Sequence, residues 1–201
     1  MITVYFLRHG ESTGVQQRIL QGHQDHPLTA FGKAQAASLS NHWLAREISF
    51  DQIITSPLLR ARQTAEIIAS LLDVPLLEDE IWIERHFGNG EGVDLSVIEN
   101  WYADHPLPLP HEPIYDTGES AADLHLRAAK ALQPLLQQDN RCLLVVSHGS
   151  LLNAVLHTIF GLSPSGRTRL VKLALDPCAY ALTQYDPQKN GWSLLAFNRQ
   201  S

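Results

Sequence analysis

Residues 2–10 read Ile2-Thr-Val-Tyr-Phe-Leu-Arg-His-Gly10, a short apolar run that ends in an Arg-His-Gly triplet. β-Branched and aromatic residues dominate the run, which is typical of a strand covered on both faces within a parallel sheet. The pattern recurs far downstream in Cys142-Leu-Leu-Val-Val-Ser-His-Gly149. We therefore predict two buried strands, each with a His-Gly pair at its carboxyl end.

The rest of the chain alternates helical and strand patterns. Helical patterns cover about 29–45, 56–72, 118–138 and 150–160, and strand patterns cover Asp51–Thr55, Val171–Leu175, Ala179–Tyr185 and Trp192–Phe197. Ser56 and Pro57 are expected to be the N-cap and the first-turn proline of the second helix. Together these patterns predict an α/β three-layer sandwich with a central, mostly parallel sheet and helices on both faces. Such sheets bind ligands beyond the carboxyl ends of their strands.

Residues 84–118 have a different composition. Closely spaced glycines come first, then a short helical pattern near Leu95–Ala103, and then the proline-rich segment 106–113. We interpret this region as a cap inserted over the site. The chain of 201 residues contains no internal repeat or linker, so we predict one domain over residues 1–201 with a cap at about 84–118.

Composition and charge exclude several partners. The net charge is -6 and the sequence has no run of Lys or Arg, whereas nucleic acid is bound by clustered cations. No apolar run approaches the roughly 20 residues that span a bilayer. We therefore expect a cytoplasmic protein that binds neither nucleic acid nor a membrane.

The sequence also gives little support for a metal site or for disulfide bonds. Cys142 and Cys178 are too few and too far apart for a disulfide framework or a zinc site. His23, Asp25 and His26 are ligand-like residues, but they lie in a predicted turn without an obvious further ligand. We predict no bound metal.

Two arginines and two histidines are predicted to meet at one edge of the sheet. Arg60 falls near the start of a helix, where the helix dipole disfavours a cation unless an anion is nearby. Arg8 leaves the end of a neighbouring strand, and two guanidinium groups can bind a phosphate dianion bidentately. His9 and His148 each fit a packed core residue when considered alone. At equivalent strand ends, each followed by a glycine that lets the backbone approach a ligand, they favour a site.

Several ordered motifs extend over nearly the whole chain. They are Arg8-His-Gly-Glu-Ser12, Gln21–Gly32, Ser56-Pro-Leu-Leu-Arg-Ala-Arg-Gln-Thr-Ala65, Glu84-Arg-His-Phe-Gly88, Gly118-Glu-Ser120 and Ser147-His-Gly149. Together they resemble the histidine phosphatase superfamily, the phosphoglycerate-mutase-like enzymes, in its small phosphatase branch. The resemblance implies a phosphoglycerate-mutase-like fold and phosphoryl transfer through a phosphohistidine, without a metal or other cofactor.

The same resemblance implies roles for individual residues. His9 is the implied nucleophile and Glu84 the implied general acid. Arg8, Arg60 and His148 are implied to bind the phosphoryl group. Neighbouring cations disfavour protonation of His9, which must keep a free lone pair, and a protonated His148 is expected to help meet the charge of the transition state. A bound phosphate favours the protonated form of Glu84, whose proton the leaving alkoxide needs.

Four further positions bear on the resemblance: two match the family and two depart from it. Ser12 and Gln21 match positions that contact phosphate or substrate in the family, although both also fit ordinary loop hydrogen bonds. Val15 stands where many relatives have Asn, and Asn153 stands where many have Arg. We expect the first departure to weaken one phosphate contact and the second to alter the support around His148.

Three functions remain open, with hydrolysis of a small phosphorylated metabolite first. A mutase must seat a second anionic group, yet the cap segment 93–117 has no Lys or Arg; its charged residues are Asp94, Glu99, Asp104, Glu112 and Asp116. The segment Glu84–Gly88 nevertheless looks closer to the mutase motif, so a cofactor-dependent phosphoglycerate mutase is the alternative. A non-catalytic phosphate-binding module is the third. The sequence is compatible with sugar phosphates, nucleotides and aryl phosphates as substrates. It also leaves open whether the protein forms a homodimer.

Overall fold

A β-sheet lies at the centre of the protein. Its strands are β1 (Ile2–Arg8), β2 (Gln52–Thr55), β3 (Leu76–Glu78), β4 (Cys142–Ser147), β5 (Tyr180–Asp186) and β6 (Gly191–Arg199). The computed structural model describes residues 1–104, 108–137, 141–164 and 172–200, with the backbone alone for residues 99 and 101–104. The strand order is β3-β2-β4-β1-β5-β6. β1 to β4 pair in parallel, and β5 pairs antiparallel with β1 and β6, which confirms the predicted mostly parallel sheet.

Helices connect the strands. They are α1 (Thr13–Gln16), α2 (Ala30–Ala45), α3 (Leu59–Leu72), α4 (Leu95–Asp104), α5 (Ala121–Leu136) and α6 (Gly149–Ile159). Thr29 caps α2 by accepting a hydrogen bond from Gly32 N, and Ser120 caps α5 by accepting one from Asp123 N. Within the described residues, every helix falls short of the length and apolar character that a membrane span requires.

Alternate residues of β1 pack into different halves of the core. Val4 and Phe6 lie in a buried cluster with residues of α5 and α6, whereas Tyr5 and Leu7 lie in a second cluster with residues of α2 and α3. Successive side chains of a strand point to opposite faces of the sheet, so one helical layer covers each face. The predicted three-layer sandwich is confirmed.

The start of α3 differs from the prediction. The helix begins at Leu59 rather than at Ser56, and its N-cap residue Leu58 makes no side-chain cap. Asp25 supplies the cap instead, because its Oδ1 accepts a hydrogen bond from Leu59 N at 2.6 Å. The prediction of Ser56 as the N-cap was therefore wrong, since a distant loop provides the acceptor.

The strand predicted over Val171–Leu175 is also wrong where the structure describes it. Residues 172–176 have no strand conformation, and Val171 lies outside the described residues. Side chains hold this segment in place of a sheet partner. Asn153 Oδ1 accepts a hydrogen bond from Leu173 N at 2.8 Å, and Arg8 Nη1 donates to Leu175 O at 2.8 Å.

The predicted cap packs against the loop that follows α1. Leu20 N donates to Val93 O at 2.9 Å, and Leu95 N donates to Arg18 O at 2.8 Å. The helix expected near Leu95–Ala103 is α4. Of the proline-rich segment, residues 106 and 107 lie outside the described part of the chain. The cap and this loop together form one wall beside the carboxyl ends of β1 and β4.

Candidate active site

His9 and His148 lie side by side at the carboxyl edge of the sheet. β1 and β4 pair in parallel register with Arg8 opposite Ser147, so the next residue of each strand is a histidine. His9 is 3% exposed and His148 is fully buried, and their ring centroids are 5.2 Å apart. The two histidines therefore lie together at one edge of the sheet, as predicted.

The hydrogen bonding of His9 fixes which ring nitrogen carries a proton. Nδ1 lies 2.7 Å from the carbonyl oxygen of Gly10, and a carbonyl only accepts, so Nδ1 is the protonated nitrogen. Burial first, and then Arg60 and Arg8, hold the pKa of His9 well below the usual value of 6.5. The neutral ring then presents the lone pair of Nε2, as a nucleophile must.

Ser56 sets the tautomer of His148. Its Oγ accepts a hydrogen bond from Leu58 N at 3.3 Å and lies 2.7 Å from His148 Nε2. A hydroxyl that accepts from Leu58 N can still donate its own proton to Nε2, and in that arrangement the imidazole proton lies on Nδ1. Burial and then Arg60 hold the pKa of His148 well below its usual range. This direction favours a neutral His148 when no anion is bound, whereas the protonated His148 expected from the sequence concerns the transition state and stays a prediction.

Replacing Ser56 with alanine should lower kcat/KM about 10-fold, the value of one lost buried hydrogen bond. The reason is that His148 Nε2 would lose its donor, so Nδ1 could turn a lone pair toward the phosphoryl group. Phosphate release in a steady-state assay measures the effect. Ser40→Ala is the matched control, because Ser40 is buried and donates to Ala36 O in α2, away from the site. Equal activities of the two variants would contradict this role of Ser56.

Arg60 and Arg8 are held by backbone carbonyls. Arg60 is 1% exposed and donates to Gln24 O at 2.9 Å and Gly22 O at 2.8 Å, while Arg8 is held by Leu175 O. Among the described residues, neither buried Nε of these arginines has a hydrogen-bond partner, and the same is true of His148 Nδ1. Buried donors without partners are costly. Arg8, His9 and Arg60 line one cavity, and an anion bound there would give these donors a partner.

Charge within the cluster supports this interpretation. Burial, with a smaller contribution from Arg8, lowers the pKa of Arg60 to about 10, although Glu84 and Asp25 oppose the shift. Burial also lowers the pKa of Arg8, with Glu84 opposing. A phosphate dianion bound here would offset the cost of burying two guanidinium groups together.

Glu84 lies at the amino end of α6. It is 8% exposed, and Oε1 accepts hydrogen bonds from Arg85 N at 2.8 Å and Leu151 N at 3.1 Å. Oε2 accepts from Ser150 N at 3.2 Å. These backbone donors fix the orientation of the carboxyl group at the edge of the cavity that also contains Arg8 and His9.

The two substrate-contact positions have different surroundings. Ser12 is fully buried, caps α1 by accepting from Val15 N, and donates to Gln21 Oε1 at 2.8 Å. Gln21 lines the cavity, whereas Ser12 does not. Gln21 is therefore the one placed to meet a substrate, and Ser12 holds it there.

The three ligand-like loop residues make separate contacts. His23 Nε2 lies 2.8 Å from Glu84 O, Asp25 caps α3, and His26 Nε2 lies 3.5 Å from Gln24 Oε1. Among the described residues, no group of three His, Cys, Asp or Glu side chains is arranged to hold a metal ion. The loop supports α3 and Glu84 instead.

Glycine follows each of the two histidines, but for a different structural reason in each case. A Cβ added at Gly10 would lie 2.6 Å from Gly32 O, so a close contact with α2, rather than ligand approach, requires glycine there. At Gly149 an added Cβ would meet only Arg8 atoms, at 3.7 and 3.8 Å. The expectation that glycine leaves room for a ligand thus fits Gly149 alone.

A cavity of about 560 Å³ opens over the cluster. Its outer wall is mainly apolar and contains Val15, Ile19, Leu20, Phe87, Leu95, Ile98, Pro108, Leu109, Ile114 and Leu124. Lys172 and Arg85 also line it, and Arg85 donates through Nε and Nη2 to Glu119 O. Val15 contributes to the apolar part of this wall. Asn153 supports the segment 172–175 rather than His148.

Three residues that were not predicted as part of the site lie at it or support it. They are Ser56 beside His148, Asp25 at the start of α3, and Arg127, which donates to the backbone of the Glu84 segment. Ser56 and Asp25 lie in motifs already recognised, so their position was available from sequence. Arg127 lies outside every motif.

Comparisons with known proteins agree on one family. The sequence model of the histidine phosphatase superfamily, branch 1, matches residues 4–200. The chain is 35% identical over 183 residues to the uncharacterized phosphatase PhoE of Bacillus subtilis, covering 90% of each protein. It is also 35% identical over 198 residues to the probable phosphoglycerate mutase GpmB of Escherichia coli O1:K1, covering 96% of this chain and 88% of GpmB.

A solved structure gives the same result. The phosphoserine phosphatase of Entamoeba histolytica, in complex with 3-phosphoglyceric acid, superposes with a TM-score of 0.82 at 26% identity. The match covers 100% of this chain and 98% of that one. Proteins similar to this chain thus include a phosphatase and a probable mutase, and one of them binds a small phosphorylated carboxylic acid.

Proposed function

Because the chain belongs to the histidine phosphatase superfamily, branch 1, we propose that it is a phosphomonoester hydrolase that works through a phosphohistidine at His9. One observation carries the proposal. The buried, unpartnered donors of Arg8, Arg60 and His148 surround a neutral His9 whose Nδ1 is engaged by Gly10 O, among the described residues. This arrangement can bind a phosphate dianion and attack it with Nε2.

In the first step, the lone pair of His9 Nε2 forms a bond to phosphorus while the bond between phosphorus and the leaving oxygen breaks. Glu84 gives its proton to that oxygen, so the product leaves as an alcohol. The arginines and the Nδ1–H of His148 stabilise the charge on the equatorial oxygens. The Gly10 carbonyl accepts from Nδ1 and stabilises the positive charge that the ring acquires.

In the second step, the deprotonated Glu84 takes a proton from water as the water oxygen bonds to phosphorus. The bond between phosphorus and Nε2 breaks, inorganic phosphate leaves, and the neutral ring of His9 is restored. The cationic side chains of the protein supply the charge that Mg²⁺ supplies in many phosphoryl-transfer enzymes. Hydrolysis should therefore be insensitive to EDTA.

The outer wall favours hydrolysis over mutase activity. A mutase must bind a second anion opposite the first and keep water away from the phosphohistidine. Here the outer wall is mainly apolar, although Lys172 and Arg85, which donates to Glu119 O, also line the cavity. The wall suits a leaving group with an apolar or aromatic face, and this makes p-nitrophenyl phosphate a suitable probe.

The test compares hydrolysis with isomerisation. The purified protein is incubated with EDTA and p-nitrophenyl phosphate, and then with 3-phosphoglycerate with and without 2,3-bisphosphoglycerate. We expect EDTA-resistant release of phosphate from p-nitrophenyl phosphate and no isomerisation of 3-phosphoglycerate. Isomerisation without net release of phosphate would make the mutase correct. Absence of both activities, with phosphate binding retained, would favour the non-catalytic module.

A further inference from the structure

Arg127 joins the segment that carries Glu84 to helix α5. Its Nη1 donates to Ile83 O at 2.6 Å and to Ile81 O at 3.1 Å, and its Nη2 donates to Glu84 O at 3.2 Å. Residues 83–87 have no regular secondary structure. Because no ladder of hydrogen bonds fixes this backbone, these contacts with the guanidinium group hold it in position.

Glu119 holds Arg127 from the other side. Its two carboxylate oxygens accept from Arg127 Nε at 2.9 Å and Nη2 at 2.7 Å, a bidentate pair with side chains 20% and 15% exposed for Arg127 and Glu119. The backbone of Glu119 also accepts from the Arg85 guanidinium and donates to His86 O at 2.8 Å. Bidentate pairs fix geometry as well as charge, so Glu119 and Arg127 tie down both sides of Glu84.

We propose that Arg127, held by Glu119, is a positioning residue that sets the carboxyl group of Glu84 for proton transfer. This inference rests on the proposed function, in which Glu84 is the general acid and base. Within the described residues, the Glu84 carboxyl group accepts its hydrogen bonds from the backbone N–H groups of Arg85, Ser150 and Leu151. The position of the Glu84 backbone therefore determines where its carboxyl group lies. A displacement of about 1 Å can lower the rate about 10²-fold.

The test uses two aromatic substrates that differ in the leaving oxygen. p-Nitrophenolate leaves without a proton, whereas the alkoxide of benzyl phosphate needs one. We expect Arg127→Met to lower kcat/KM for benzyl phosphate about 10²-fold, the lower range of general acid catalysis, and for p-nitrophenyl phosphate less than about 10-fold. Arg127→Lys, which keeps the charge with a different donor geometry, should fall between wild type and Arg127→Met.

A second readout follows from the hydrolysis step. Because water attack on the phosphohistidine also needs Glu84, Arg127→Met should release a burst of p-nitrophenol before a slower steady state. Glu84→Gln should show the same dependence on the leaving group, and adding Arg127→Met to it should cause little further loss. Lys130→Met, an exposed position on α5, is the matched control and should match wild type.

Other outcomes separate the two proposals. Equal losses on both substrates, or full additivity with Glu84→Gln, would show that Arg127 has only a structural role and would overturn this inference. A wild-type protein that hydrolyses neither substrate would contradict the proposed function itself. Thermal unfolding of each variant, measured beside the assays, identifies a loss that comes from unfolding. If Arg127→Met unfolds, the two substrates are compared with Arg127→Lys instead, and a larger loss for benzyl phosphate would support the proposal.

Discussion

Replacing His9 with alanine should lower kcat/KM for p-nitrophenyl phosphate by at least about 10⁴-fold, because His9 forms the covalent intermediate in the proposed mechanism. His9 is buried between Arg8 and Arg60 and its Nδ1 is held by Gly10 O. Nε2 is therefore the atom that would carry the phosphoryl group. Rapid quench in an alkaline denaturant, followed by detection of an alkali-stable, acid-labile phosphoprotein, should show the intermediate in wild type only.

The control for this variant is His42→Ala, in the last turn of α2. It removes an imidazole of the same size outside the cavity and should leave the rate unchanged. His9→Ala should still bind inorganic phosphate, since the arginines and His148 remain. A variant without His9 that kept a tenth of the activity would exclude the covalent mechanism.

The second large effect is expected at Arg60. Changing it to methionine removes a buried cation and the donors to Gly22 O and Gln24 O, and should lower kcat/KM about 10³-fold, the range for loss of a main group that stabilises transition-state charge. Both KM and kcat should change, because the same group binds the ground state and the transition state. Steady-state assays with p-nitrophenyl phosphate measure this.

The same variant should change the pH dependence in a defined direction. Arg60 lowers the pKa of His9, so its removal raises that pKa, and a larger share of His9 is then protonated at acidic pH. Because kcat/KM reports the free enzyme, its acidic limb should move to higher pH in Arg60→Met. The wild type is compared on the same substrate, which cancels the titration of the phosphate itself.

Arg62→Met is the matched control for Arg60. Arg62 lies on the same helix with its side chain 39% exposed and 3.7 Å from Glu66, so its loss should leave rate and pH profile unchanged. Arg60→Lys distinguishes charge from geometry, since it keeps the cation without the planar fork. An acidic limb that did not move in Arg60→Met would mean that burial alone keeps His9 neutral.

The sequence predicted the parts of the fold that have strong periodic patterns. β1 and β4 are continuous apolar runs, and α2, α5 and α6 lie within about three residues of their predicted bounds. β3 was not predicted, because Leu76–Glu78 is only 3 residues long and no residue of it is buried. Such a strand forms because β2 offers a parallel edge, which is a tertiary effect.

The sequence predicted the residues that form the site better than it predicted the residues that hold them in position. His9 and His148 follow buried strands, and the two apolar runs together with the alternation of strand and helix patterns predicted a parallel sheet that brings them to one edge. Ser56 was assigned to capping, because a Ser-Pro pair before a helical pattern usually has that role. Its contact with His148 links residues 92 positions apart, and no local pattern encodes such a contact. The roles of Asp25 and Arg127 depend on long-range contacts in the same way.

The strand order also constrains how the protein is made. β4 lies between β1 and β2 although it is the fourth strand in the chain, so during synthesis on a ribosome the earlier strands lack the neighbour that joins them. The two histidines cannot come together until β4 has left the exit tunnel. The nascent chain therefore carries unpaired strand edges for most of its translation, a state open to aggregation and to binding by chaperones.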